Sequence, residues 1–170
     1  DFEIKDILER SWQLATIQLD FQMPLSFKAS YEGKDGNKHT PIMIHRAVLG
    51  SLERFIAILI EQYAGKFPLW LSPVQVKILT LTDRNKDFAN NIFNKLRENN
   101  LRAELDDRPE SIGKKVRDAQ LEYVNYIVTV GDKEEQNKTL AIRTLDGKIK
   151  FGVKLDQFIE ELLNKIKQKE

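Results

Sequence analysis

The sequence predicts an α/β protein whose carboxyl-terminal part folds as a mainly parallel or mixed sheet with helices on its faces. Two observations carry this expectation. From Val74 onward, β-branched apolar runs alternate with segments of helical periodicity. Before that point, residues 65–73 hold two prolines and a glycine and separate two differently patterned regions. Domain boundaries follow: residues 1–66, a connecting segment 67–73, and residues 74–170. No internal repeat is present.

Residues 14–21 form the first predicted strand, with Ile17, Leu19 and Phe21 on one face and Gln18 and Asp20 on the other. Residues 32–38, rich in Gly, Asp and Asn, read as a turn or hairpin tip. Residues 41–48 predict a second, buried strand. The helix expected over 51–63 carries Leu52, Phe55, Ile56, Ile58, Leu59 and Ile60 around most of its circumference, which predicts burial on most sides. In the connecting segment, Phe67, Leu69, Trp70 and Leu71 predict packing on a surface and not a loose tether.

Beyond it, residues 74–81 predict a strand and 83–99 an amphipathic helix with Phe88, Ile92, Phe93 and Leu96 on one face. A short strand over 101–105 turns Leu101, Ala103 and Leu105 to one side. The helix over 112–124 places Ile112, Val116, Ala119 and Tyr123 inward. Residues 126–130 predict a buried strand, followed by a loop over 131–135. Residues 139–145 predict a β-branched strand closed by a turn at Asp146-Gly147. A last helix over 155–169 turns Phe158, Ile159, Leu162, Leu163 and Ile166 inward. Crossovers in such a sheet are right-handed, and ligands gather at strand ends.

Hydrophobic residues at 41% and charged residues at 31% exclude a disordered chain and fit a globular one. No apolar run is long enough to cross a bilayer, and the first ten residues do not read as a secretory signal. With no cysteine there is no disulfide, which fits a cytoplasmic location. A net charge of +1 leaves nucleic-acid binding to local clusters and not to an overall field.

Taken residue by residue, the chemistry is sparse. There is no phosphate loop and no glycine fingerprint after a strand. His39 lies in a polar loop and reads as solvated. His45, at the end of an apolar strand, is either a satisfied core histidine or a metal ligand lacking evident companions. Arg54, one turn into an apolar helix, needs an ion pair, for which Asp20 is the candidate, or a ligand. The charged run 106–118 is either a solvated helix face or a phosphate contact through Lys114, Lys115 and Arg117. Carboxylates after the strand at 126–130 and the guanidinium of Arg143 suit base edges.

Two longer stretches are more specific. Residues 11–21, Ser-Trp-Gln-Leu-Ala-Thr-Ile-Gln-Leu-Asp-Phe, and residues 41–55, containing Met43-Ile44-His45-Arg46-Ala47 and ending at Arg54-Phe55, resemble the end of the catalytic domain of threonyl-tRNA synthetases. The second is similar to class II motif 3. Trp70-Leu71-Ser72-Pro73, Asp107-Arg108, Ile112-Gly113-Lys114-Lys115-Val116-Arg117 and Gly131-Asp132-Lys133-Glu134 resemble the anticodon-binding domain that follows, shared by the synthetases for proline, histidine and glycine. The likeness covers essentially the whole chain.

The resemblance implies a fragment of an antiparallel-sheet class II catalytic domain, then an α/β anticodon-binding domain with a mixed sheet flanked by helices. It implies a ligase that activates threonine with ATP and Mg²⁺ and transfers it to tRNA(Thr), working as a homodimer. His45 falls on one of three ligands of a zinc that binds threonine; the other two ligands do not occur in these residues. A site that engages a hydroxyl rejects valine, which leaves the polar partner unmet. Arg54 falls on the motif 3 arginine that meets ATP phosphates. Gln13 and Gln18 fall where ATP and threonine are held, and Ser51 near the amino acid. Glu134 and Arg143 fall on anticodon-reading positions, with Lys133, Lys114 and Arg117 as further tRNA contacts. Pro109 replaces an asparagine of some relatives, and Leu14 a cysteine or similar residue. Motifs 1 and 2 are missing, so this piece by itself is expected to be inactive and, through its exposed apolar surface, prone to self-association. The alternatives are a stand-alone RNA-binding paralogue or another synthetase of the same subclass.

Overall fold

The computed structural model describes residues 1–170, which divide into two compact units, Asp1–Ala64 and Gly65–Glu170. The first contains strands β1 (Phe2–Lys5) and β2 (Ser11–Asp20), a single helical turn α1 (Met23–Ser26), a hairpin of β3 (Tyr31–Glu32) and β4 (Lys38–His39), strand β5 (Met43–Ala47) and helix α2 (Leu52–Tyr63). β1, β2 and β5 form an antiparallel sheet with β2 in the centre. Asp20 ends β2 by accepting the backbone N–H groups of Gln22 and Met23 at 2.8 and 2.9 Å, which opens α1.

Two expectations fail in this unit. Only Ile58 of α2 is buried, although apolar side chains ring the helix. The strand β5 is not buried either: Ile44 is 63% exposed, and its cross-strand neighbour Leu19 is 60% exposed. Hydrophobicity marks which side chains gain from burial, but these residues supply no layer to cover both faces of the sheet.

The second unit has β6 (Val76–Thr80), a 3₁₀ turn over Asp83–Asn85, α3 (Lys86–Glu98), β7 (Ala103–Asp106), α4 (Ile112–Leu121), β8 (Tyr126–Val130), α5 (Asp132–Asn137), β9 (Leu140–Thr144), β10 (Ile149–Val153) and α6 (Leu155–Gln168). The sheet order is β10-β9-β8-β6-β7. β7, β6 and β8 run parallel, and β9 and β10 are antiparallel additions, so the sheet is mixed as the α/β alternation predicts. One face carries the large core: Val76, Ile78, Val128, Val130, Leu140 and Ile142 of the strands pack against Ile92 and Leu96 of α3 and Phe158 and Leu162 of α6. The opposite face holds a small cluster, Leu79 and Ile127 against Ala119 of α4 and Val124. Tyr123, expected inward, is 41% exposed, because α4 ends at Leu121 and Tyr123 turns into left-handed backbone at φ 54°.

Residues 67–73 are held against this unit. Leu69 joins the large core. Arg102 donates to the carbonyls of Ser72 and Trp70 at 2.7 and 2.9 Å, and Gln75 Nε2 to that of Leu69 at 2.8 Å.

Candidate nucleic-acid interface

The parallel strands β6, β7 and β8 end at Thr80, Asp106 and Val130, and the loops beyond them shape the surface of the second unit. Lys115 ties two of these ends together. It is 2% exposed, and its ammonium donates to the carbonyl of Thr80 at 2.9 Å, to Thr80 Oγ1 at 3.3 Å and to the carbonyl of Asp106 at 3.3 Å. It therefore closes the sheet and does not contact phosphates. Its neighbours on α4 differ, because successive side chains point about 100° apart around the helix. Lys114 is exposed and pairs with Glu110 at 2.6 Å, and Arg117 is exposed without an ion pair.

Arg108 is also committed. It grips Asp106 through Nε at 2.9 Å and Nη2 at 2.7 Å, and reaches Asp118 at 3.0 Å. The guanidinium hydrogen bond outweighs burial and holds the Asp106 carboxyl below its ordinary value.

Beside α4 lies a cleft of about 410 Å³ lined by Leu81, Ile112, Gly113, Val116, Glu134, Arg143 and Phe151, among others. It exists because α4 covers only part of this face of the sheet, leaving β9 and β10 open. Residues 131–135, expected as a loop, start the short helix α5. Glu134 folds back so that Oε2 accepts the backbone N–H of Gly131 at 3.1 Å, which fixes the carboxylate at the end of β8. Arg143 is half-buried and donates only to the carbonyl of Gly147, at 3.4 Å. An acid and a guanidinium thus share one cleft, and neither takes part in an ion pair. Lys133 is exposed and unpaired at the start of α5.

In the first unit, β2 and β5 bring Gln18 opposite His45. His45 Nε2 lies 3.0 Å from Asp20 Oδ2, and the imidazole is 40% exposed, so His45 is not a core histidine. Asp20 takes His45 as its side-chain partner in place of the expected Arg54. Backbone hydrogen bonds from Met23, then the His45 and Gln22 contacts, lower its carboxyl pKa. No three His, Cys, Asp or Glu side chains converge in this chain, so these residues alone do not fit a zinc centre.

Gln13 is exposed on β2, opposite Glu3. Ser51 caps α2, its Oγ accepting the backbone N–H of Arg54 at 3.4 Å and donating to Glu53 at 2.6 Å. The Arg54 side chain is exposed and stacks over the ring of Trp12 at 5.3 Å. Behind it, Trp12 Nε1 donates to Asp6 Oδ2 at 2.8 Å, and Arg10 Nε reaches the same oxygen at 2.6 Å. Sequence reasoning missed this support because residues 1–10 carry no motif. It also missed β10 and Phe151, where the alternation of Ile149 and Phe151 was the available signal.

The second unit thus carries an open cleft beside α4, and the first an antiparallel sheet and a helix that present His45 and Arg54. The family model for the anticodon binding domain matches residues 75–165, and that for the tRNA synthetase class II core domain (G, H, P, S and T) matches residues 1–63. The chain belongs to the anticodon-binding-domain family of class II tRNA synthetases. Within it the chain is similar to threonine–tRNA ligases. It is 51% identical over 169 residues to that of Clostridium botulinum strain Hall, covering 99% of this chain and 27% of the relative. It is 53% identical over 163 residues to that of Desulfatibacillum aliphaticivorans, covering 96% and 26%. Its fold is similar to the crystal structure of the RNA binding domain of threonyl-tRNA synthetase from Cryptosporidium parvum Iowa II, with a TM-score of 0.80 and 34% identity over 95% of this chain and 41% of that one. The chain thus spans about a quarter of the length of these curated relatives.

Proposed function

We propose that these residues are the anticodon-reading module and one wall of the aminoacylation site of a cytoplasmic, homodimeric threonine–tRNA ligase. That enzyme joins threonine to the AMP part of ATP with release of pyrophosphate, then passes the threonyl group to the terminal ribose of tRNA(Thr) with release of AMP. The observation that carries the reading is the pairing of Glu134 and Arg143 in one cleft, both free of ionic partners. A carboxylate accepts from base amines and a guanidinium donates to base carbonyls and ring nitrogens, so the two together read unstacked bases.

On the other unit, Arg54 would meet ATP phosphates from its seat on Trp12, and Ser51, Gln13 and Gln18 would hold ATP and the amino acid. His45 would supply one zinc ligand, with the remaining donors coming from outside these residues. Lys133, Lys114 and Arg117 would contact the tRNA backbone.

The test uses the 170-residue chain and a fluorescein-labelled tRNA(Thr) anticodon stem–loop. Anisotropy titration is expected to show at least tenfold tighter binding than to a stem–loop with a scrambled anticodon. Equal affinity for both would overturn the reading.

A further inference from the structure

We propose that Phe151 is the platform on which an unpaired base of the anticodon loop stacks while Glu134 and Arg143 meet its edge or that of its neighbour. The inference deepens the function proposed for the cleft and rests on it.

Phe151 is 73% exposed, the most exposed of the large apolar side chains in the protein. It lines the same cleft as Glu134 and Arg143. Its position follows from an irregularity of the edge strand. Ile149 faces Arg143, Lys150 faces Ile142 and Val153 faces Leu140, so Phe151 and Gly152 both stand opposite Ala141 alone. Such a bulge adds one residue and breaks the two-residue alternation. Gly152 takes φ 71°, a backbone that other residues adopt at a cost. The result is that Val153 turns to the large core while Ile149 and Phe151 stay on the cleft side. A regular strand would have sent Val153 to the same side as Phe151 and left the core short of a side chain.

Two further features fit a flat occupant. Gly113, on the wall of the cleft, would place a Cβ in open space, so nothing in the protein requires a glycine there, and its absent side chain widens the opening. Arg143 has no carboxylate partner, so its charge calls for an electron-rich ligand beside the ring. Every base offers a π face, so an aromatic ring adds affinity while the polar groups add discrimination.

The experiment places 2-aminopurine at each anticodon position of the stem–loop in turn and titrates it with the 170-residue chain and its F151A, F151L and F151W variants. Wild type is expected to change the fluorescence at one position. F151A and F151L are expected to lose that change together with about tenfold in affinity, and F151W to retain both. If wild type binds and F151A binds equally with the same signal, the stacking role is overturned while the anticodon reading stands. If F151L behaves as wild type, the contact is apolar packing and the proposal falls. If F151A alters only self-association in sedimentation, Phe151 is a protein contact and the proposal falls too. Failure of wild type to bind any stem–loop overturns the underlying reading instead.

Discussion

The guanidinium of Arg54 stands 5.3 Å from the centre of the Trp12 ring, and the indole N–H of that ring is held by a carboxylate, Asp6, that is 5% exposed. Three separated positions in the sequence therefore act as one support: Asp6 orients Trp12, and Trp12 gives Arg54 a face to lie on. Arg10 lies 5.6 Å from the same ring and binds Asp6 and Glu61, which closes the group.

This support is expected to weaken in acid. Burial alone would raise the Asp6 carboxyl, but hydrogen bonds from Trp12, Arg10 and Leu8 outweigh it and hold it at about 2, below the ordinary 3.8. A depressed carboxyl stabilises the fold fully above its unfolded pKa and loses that contribution as pH falls through the folded one. Thermal unfolding midpoints of wild type and D6N are expected to differ most above pH 3.8 and to converge as the pH falls towards about 2. Parallel profiles across that window would remove Asp6 as a charged anchor.

Gly50 sets the approach of α2 to β2. Its φ is 64°, and a Cβ there would stand 2.8 Å from the carbonyl oxygen of Leu14. G50A is expected to cost about 1–3 kcal/mol in urea unfolding, from left-handed backbone and the clash together. An unchanged midpoint would show that the turn before Ser51 relaxes freely.

Lys115 and Arg117 are two residues apart and are expected to act on different observables. K115M removes a buried ammonium from two carbonyls and a hydroxyl, at a cost of about 1.5–3 kcal/mol of stability. R117A is expected to leave stability unchanged and to reduce the salt dependence of stem–loop binding, the slope of log K against log salt falling by about 0.7. Urea unfolding and anisotropy at several salt concentrations separate the two. A change in salt slope for K115M at full folding would contradict its structural role.

E134A and R143A are each expected to weaken binding of the threonine anticodon stem–loop by about 1–3 kcal/mol, and to do so less for a scrambled loop. Competition titrations measure both. Affinity unaltered in both variants would leave the cleft without a role in reading bases.

Most of the second unit was legible in the residues. Strands such as 126–130 are short, β-branched and flanked by turn residues, and the helix face of Ile92 and Leu96 repeats at helical spacing, so local pattern and final burial agree. The edge strand β10 went unread although Lys148, Ile149, Lys150 and Phe151 alternate, because the bulge at Gly152 breaks that alternation after four residues. In the first unit β2, β5 and α2 were readable, but β1 was not, and neither was the burial of these elements. An apolar side chain announces a preference for cover, and nothing in Ile44 or Leu19 says whether cover is at hand.

By itself the sequence determined most of the longer strands and helices, though not β1, α5 or β10. Those elements rest on neighbours along the chain. Only the tertiary structure decided that Lys115 points inward while Lys114 points out, that Asp20 takes His45 and not Arg54, and that Glu134, Arg143 and Phe151 line one cleft. Pairings of that kind depend on which elements lie side by side, and a charge or an aromatic ring carries no mark of the partner that folding brings to it.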